Sequence, residues 1–223
     1  MSTPIWARPE PKGRGREKPL SRRGIVGVAI AIADDEGIEA VSMRRLAREL
    51  HAGAMSLYHY FENRDELLEL MIDTVAGEMV VPELPAEWRP ALEAVAGRSR
   101  AMFVAHPWVL PILQAVPAVT PNLLRHIEQS AQSVSTLEGV EPVLLTGIVT
   151  AVDDYTIGYT LRELDSEDRR RRRSWDEPAV RTLLESGEFP MVSEFVAYGS
   201  PLPTPTFEMG LKWLLDGFAA QLD

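Results

Sequence analysis

Residues 42–64, SMRRLARELHAGAMSLYHYFENR, describe two short helices that meet at an angle. Ser42 is a good N-cap, and Met43, Leu46, Ala47 and Leu50 follow it at helical spacing. His51-Ala52-Gly53 then breaks the helix. A second helix, over about 54–60, buries Leu57 and Phe61, four residues apart. That leaves Met55, Ser56, Tyr58, His59 and Tyr60 on or near its other face. A helix of about seven residues is not stable alone, so a scaffold must display it. Small, hydroxyl-bearing and aromatic side chains held out in this way are the form of a DNA-reading helix-turn-helix.

The flanks supply the scaffold. A helix opens at the N-cap Ser21, repeats apolar residues at Ile25, Val28, Ala29, Ile32 and Ala33, and stops at Gly37. Another opens at Asn63, with Glu66 three residues on in the capping-box pattern. Its apolar face of Leu67, Leu70, Met71, Thr74 and Val75 predicts a strut from this head to the rest of the chain. Pro82 and Pro85 close the segment, and the domain boundary is placed there.

Residues 29–50, AIAIADDEGIEAVSMRRLAREL, and 56–69, SLYHYFENRDELLE, carry a resemblance. Ile25 to about Met79 resembles the DNA-binding domain of the tetracycline-repressor (TetR) family of one-component regulators. His51 stands where that family usually has a turn glycine, with Gly53 two residues on, a spacing that allows a shifted turn. The resemblance implies DNA roles for matching positions. Arg44 reaches a phosphate or a guanine edge. Ala54 and Met55 face the groove, Ser56 and Tyr58 contact phosphate and base, and His59 and Tyr60 contact the DNA backbone. Arg64, at the start of the strut, clamps a phosphate.

Beyond the boundary the chain reads as helical throughout. Trp88 to Ala105 forms an amphipathic helix ended by His106-Pro107, because a residue before proline avoids the helical region. A short helix follows. Thr120-Pro121, Glu141-Pro142, Glu177-Pro178 and Thr204-Pro205 open further helices, proline being favoured at the first helical position. The expected architecture is all-α: residues 1–20 a disordered basic arm, 21–81 the helix-turn-helix head, 82–223 a helical ligand-binding and dimerisation domain.

Composition agrees with that division. The 223 residues are 45% hydrophobic and 25% charged, ordinary for a globular protein, with no apolar run near the roughly 20 residues that span a bilayer. This, with no signal-peptide pattern, predicts a cytoplasmic protein without a membrane partner. The absence of cysteine excludes disulfides and thiolate metal sites. Net charge is −10, yet residues 1–70 hold 11 of the 23 Lys/Arg and 11 of the 33 Asp/Glu, so the whole excess lies later. Residues 8–23 carry Arg8, Lys12, Arg14, Arg16, Lys18, Arg22 and Arg23 against Glu10 and Glu17, a distribution suited to phosphate attraction at the head. The run Arg169–Arg173 is nearly cancelled by acidic neighbours and reads as a solvated loop.

Two helices are too apolar for a monomer. One carries Leu144, Leu145, Ile148, Val149, Val152, Tyr155, Ile157, Tyr159 and Leu161; the last carries Phe207, Leu211, Leu214, Leu215, Phe218 and Leu222, with Trp213 on a second face. Such surfaces mark a partner. The runs 151–163, AVDDYTIGYTLRE, 183–190, LLESGEFP, and 207–218, FEMGLKWLLDGF, resemble the tetracycline-repressor C-terminal domain. The resemblance implies a homodimer built on these two helices, placing two reading helices about one DNA turn apart, ~34–36 Å, on a palindromic operator.

It also implies a cavity for a small lipophilic effector, with Phe103, His106, Trp108, Gln114, Asn122, His126 and Asp154 as candidates. Tetracycline-responsive members hold a drug-chelated magnesium through a His, and that place falls near Leu113 here, so no metal or other cofactor is expected. The implied function is a ligand-responsive repressor. Alternatives are a DNA-binding protein whose body takes no effector and an enzyme with an appended DNA-binding head. Against the enzyme, no nucleophile-elbow, phosphate-loop, zinc-protease or dinucleotide motif is present, and Asp153-Asp154 point about 100° apart on a helix.

Overall fold

Three of the polar residues expected to cap helices do so through their side chains. Ser21 Oγ accepts from Gly24 N at 3.0 Å and opens α1, Arg22–Glu36. Ser42 Oγ accepts from Arg45 N at 3.2 Å and opens α2, Met43–Glu49. Asn63 Oδ1 accepts from Glu66 N at 3.0 Å and opens α4, Arg64–Ala76. Each such cap stabilises its helix by about 1 kcal/mol. Between the last two lies α3, Ala54–Leu57, shorter than expected, continued by a turn in which Tyr60 N and Phe61 N both donate to Leu57 O. The computed structural model describes residues 3–11, 20–113, 119–164, 177–197 and 205–222, and among these it is helical with no strand. Gln114 and the Arg169–Arg173 run lie outside the described residues.

The described chain falls into two compact units, one through Asp153 and one from Asp154. In the first, α1 packs on α2 and α4, and α2 on α3. Ile25, Ala29, Leu46, Leu57, Phe61, Leu67 and Met71 are buried almost completely and form the core of the head. Then come α5, Trp88–Ala105, α6, Val109–Ile112, and α7, Pro121–Val134. His106 leaves the helical region before Pro107, as its position demands. α5 packs on α7, and α4 packs on both α1 and α7, which makes it the strut between head and body.

Helix α8, Pro142–Leu164, runs through the division at Asp153. The second unit adds α9, Pro178–Glu185, and α10, Pro190–Ala197, which pack together, and α11, Phe207–Leu222. Thr206 caps α11, its Oγ1 accepting from Met209 N at 3.2 Å, and Thr204 lies outside the described residues. In this unit Tyr155 stacks on Phe207 at 5.4 Å, and its hydroxyl donates to Phe207 O at 2.8 Å.

Two features of the head were not anticipated from residue order. Residues 3–11 are ordered against the head rather than part of a free arm: a 3₁₀ turn over Ile5–Ala7 packs on α4, with Ile5 buried. The apolar Ile5 and the carboxylates facing Arg8 supply what local periodicity lacks. The turn between α2 and α3 is not shifted either. His51 itself takes the left-handed conformation, φ 47°, while Gly53 is extended at φ −70°, ψ 140°. A Cβ in that region costs roughly 1 kcal/mol, and glycine avoids the penalty. His51→Gly is therefore expected to stabilise the protein by about 0.5–1 kcal/mol, raising the melting temperature by roughly 2 °C in a thermal melt.

Candidate nucleic-acid interface and effector region

The head presents one exposed surface around its shortest helix. Leu57 is wholly buried and anchors α3, while Ala54, Met55, Ser56, Tyr58 and His59 are exposed. Met55 is 81% and Tyr58 48% accessible, so neither ring nor thioether packs in a core. Arg44, on the second residue of α2, is exposed as well, whereas Arg45 is tied to Glu36 and Glu49. The surface therefore offers a thioether, a hydroxyl, a phenol, an imidazole and a guanidinium, the groups that meet thymine methyls, phosphates and base edges.

Two of the expected contacts are otherwise engaged. Tyr60 is buried, and its hydroxyl donates to Leu20 O at 2.8 Å, a bond that braces the head. Arg64 folds back over the turn between α1 and α2, donating from Nε to Val41 O at 3.3 Å and from Nη2 to Ile38 O at 3.1 Å. Those bonds hold an exposed guanidinium against the turn.

The effector candidates divide sharply. His106 Nδ1 lies 2.7 Å from Asp34 Oδ1, and Trp108 Nε1 donates to the same oxygen at 2.6 Å. The other imidazole nitrogen is 3.4 Å from Glu78. Asn122 is held by Asp73 of α4: its backbone N donates to Oδ1 at 2.8 Å and its Nδ2 to the Asp73 carbonyl at 2.8 Å. These three candidates thus join the body to α1 and α4. Phe103 is buried. Asp154 is exposed and belongs to the second unit.

His126 differs from the rest. It is 7% exposed on α7, and its Nδ1 is one of three buried side-chain polar atoms without a partner among the described residues, with Thr120 Oγ1 and Arg8 Nε. Burial lowers its pKa, so the imidazole is neutral at neutral pH. A neutral imidazole can both donate and accept one hydrogen bond. Thr120 caps α7 by backbone position only, its hydroxyl bonding nothing there.

Asp34 and Asp73 were not among the sequence candidates. One signal was available for Asp34. It begins the acidic run Asp34-Asp35-Glu36 at the C-terminal end of α1, where the helix dipole disfavours negative charge. A carboxylate placed against that local preference points to a tertiary partner.

Among the described residues no group of three or more His, Asp or Glu side chains is arranged to hold a metal ion, and no helix is long and apolar enough to cross a membrane. Comparison with known proteins gives the arrangement a lineage. The family model described as "Bacterial regulatory proteins, tetR family" matches residues 25–71, and that described as "Tetracyclin repressor-like, C-terminal domain" matches residues 81–222. The chain is 31% identical over 226 residues to the HTH-type transcriptional repressor DrrR1 of Streptomyces coeruleorubidus, covering 96% of this chain and 82% of the relative. It is 30% identical over 225 residues to an HTH-type transcriptional regulator of Saccharopolyspora erythraea, covering 97% and 91%. Among solved structures, ActR of Streptomyces coelicolor in complex with actinorhodin is 29% identical, with a TM-score of 0.71 over 92% of this chain and 99% of that one. With both halves matched in the order the fold presents them, the chain belongs to the TetR family of bacterial transcriptional regulators.

Proposed function

We propose that the protein is a cytoplasmic repressor that binds a palindromic operator as a homodimer and is released by a small lipophilic effector. The observation that carries this reading is the exposed set Met55, Ser56, Tyr58 and His59 around the buried Leu57. Arg44 and Ala54 extend that set, and Arg64 supplies a phosphate contact from the head's edge. A dimer is supported by apolar side chains left outside α8 and α11: Leu161 and Leu164 on one, Met209 and Trp213 on the other. An effector is supported by a relative of similar fold, ActR, solved with actinorhodin.

In this reading Phe103 and His126 contact the effector, Phe103 through apolar surface and His126 through its unpaired Nδ1. The head senses the event through α4, which packs on both α1 and α7, and through the Asp34 and Asp73 bonds. An effector shifts the head only by binding one arrangement of these contacts better than the other.

The test is a selection of duplexes from a random pool, followed by titration of lipophilic compounds into the complex. The expected result is a dimer retaining a two-fold symmetric site, released by at least one compound that also raises the melting temperature. A monomer that retains no sequence would sink the proposal. Sequence-specific binding insensitive to every compound that stabilises the protein would leave a DNA-binding protein without an effector.

A further inference from the structure

We propose that residues 3–11 act as an internal strap that positions the DNA-reading turn, with Arg8 as its positioning residue and no DNA contact of its own. The inference rests on the operator-binding reading and adds to it a residue outside the helix-turn-helix.

The segment meets three elements at once. Ile5 is 1% exposed and anchors it on α4. Arg8 sits between two carboxylates: Nη1 donates to Glu62 Oε1 at 2.6 Å, and Nη2 pairs with Glu66 Oε1. The other oxygen of Glu66 accepts from Glu62 N at 2.8 Å. Arg8 thus acts through Glu66 on the backbone immediately after the reading turn. Burial opposes the charge on Arg8, but its bonds to Glu66 and Glu62 outweigh this and raise its pKa.

The same segment reaches α1. Its Arg8 and Pro9 carbonyls accept from Arg22 Nη1 at 2.7 and 3.1 Å, and Glu10 Oε1 accepts from Arg22 N at 2.6 Å. Arg22 Nε then donates to Tyr60 O at 3.2 Å. The Tyr60 carbonyl and the Glu62 amide, at the close of the turn that follows α3, are therefore held through groups the strap places. Arg8 and Arg22 thus both have intramolecular partners. Arg8 also neutralises two carboxylates that would otherwise stand beside the reading turn.

A positioning role and a phosphate contact differ in salt dependence. A lost phosphate contact lowers the slope of log affinity against log salt by about 0.9 for each contact. A lost brace reduces the fraction of heads in the binding geometry and leaves the slope alone. Ile5→Ala changes no charge, and Arg8→Lys keeps the charge but lacks the planar fork that spans two carboxylates. Each is expected to weaken binding to the selected operator roughly three- to tenfold. The salt slope and the affinity for random duplex should stay at wild-type values. Hydrogen exchange should quicken at Tyr60 and Glu62.

A slope reduced in Arg8→Gln but restored in Arg8→Lys would overturn the proposal in favour of direct phosphate contact. Operator affinity unchanged in both variants would overturn it too, leaving the segment inert. If Ile5→Ala melts below the assay temperature, Arg8→Lys decides. Wild-type protein that retains no operator refutes the regulator reading instead, so the two failures are distinct.

Discussion

Tyr58→Glu is expected to weaken operator binding at least a hundredfold while leaving the fold intact. The side chain is half exposed and follows the last residue of α3, so its replacement empties no core volume. Surface changes of that kind alter stability by about 0.5 kcal/mol or less. At the interface the effect is different. A lost contact to phosphate or base is worth about 1–3 kcal/mol, and a carboxylate adds repulsion from the DNA backbone. In a two-fold complex the change occurs in both protomers, so roughly 3–6 kcal/mol is removed, a factor of about 10² to 10⁴. Tyr58→Phe separates hydroxyl from ring and should lie between the two. A gel shift and a thermal melt on the same preparations check both halves of the expectation. Equal affinity for all three proteins would remove Tyr58 from the interface. Leu57→Ala makes the contrast, since a wholly buried leucine costs about 2–5 kcal/mol of stability when truncated, and binding and fold should fail together.

Gly210→Ala should destabilise the second unit by about 1–3 kcal/mol, the cost of overpacking. A Cβ added there would fall on the Tyr155 hydroxyl and lie 2.9 Å from Cζ and 3.1 Å from Cε2. The tyrosine cannot simply swing away. Its ring stacks on Phe207, meets Tyr159 at 5.9 Å and donates its hydroxyl to Phe207 O. Glycine at 210 is thus required by the close approach of α11 to the aromatic cluster on α8, not by backbone conformation. Tyr155→Phe removes the nearest obstructing atom and should recover part of the loss in the double variant, although the single change also discards a hydrogen bond. A double-mutant cycle followed by thermal melts measures the coupling. Additive effects would show that the methyl is accommodated elsewhere. Because α8 and α11 also carry the exposed apolar residues assigned to the dimer, sedimentation of Gly210→Ala should reveal a weakened dimer.

The exposed apolar residues on the α9–α10 pair extend the same theme. Leu183, Phe189, Met191 and Phe195 are each more than 40% accessible, and neither helix holds a fully buried residue. Charge and aromatic content differ little between this segment and the rest of the body, so composition alone does not set it apart. The tertiary arrangement leaves these apolar side chains exposed among the described residues.

Helix boundaries and the identity of the head were legible from residue order because their causes are local. Ser21, Ser42 and Asn63 bond backbone groups three residues away, Pro107 acts on the residue before it, and Gly37 ends α1 at φ 84°. Leu46, Leu57 and Leu67, each on the apolar side of its own helix, are buried completely. His51 escaped this logic, because a left-handed histidine breaks the local preference that pointed to Gly53.

Partner choice was beyond the sequence. His106 and Trp108 meet Asp34 across 72 and 74 positions, Asn122 meets Asp73 across 49, and Arg8 meets Glu66 across 58. No periodicity or cap distinguishes these polar groups from ones left open to a ligand, and the pairing is decided only when helices pack. Tyr60 shows the same limit within a single turn: residue order did not fix the partner of its hydroxyl, which is the distant Leu20 carbonyl. Residue order alone thus determined the helices, their sequence and the DNA-reading head, through interactions that span four residues or fewer. Tertiary packing alone decided which polar side chains brace the head, because a hydrogen bond between distant residues depends on where the backbone carries them.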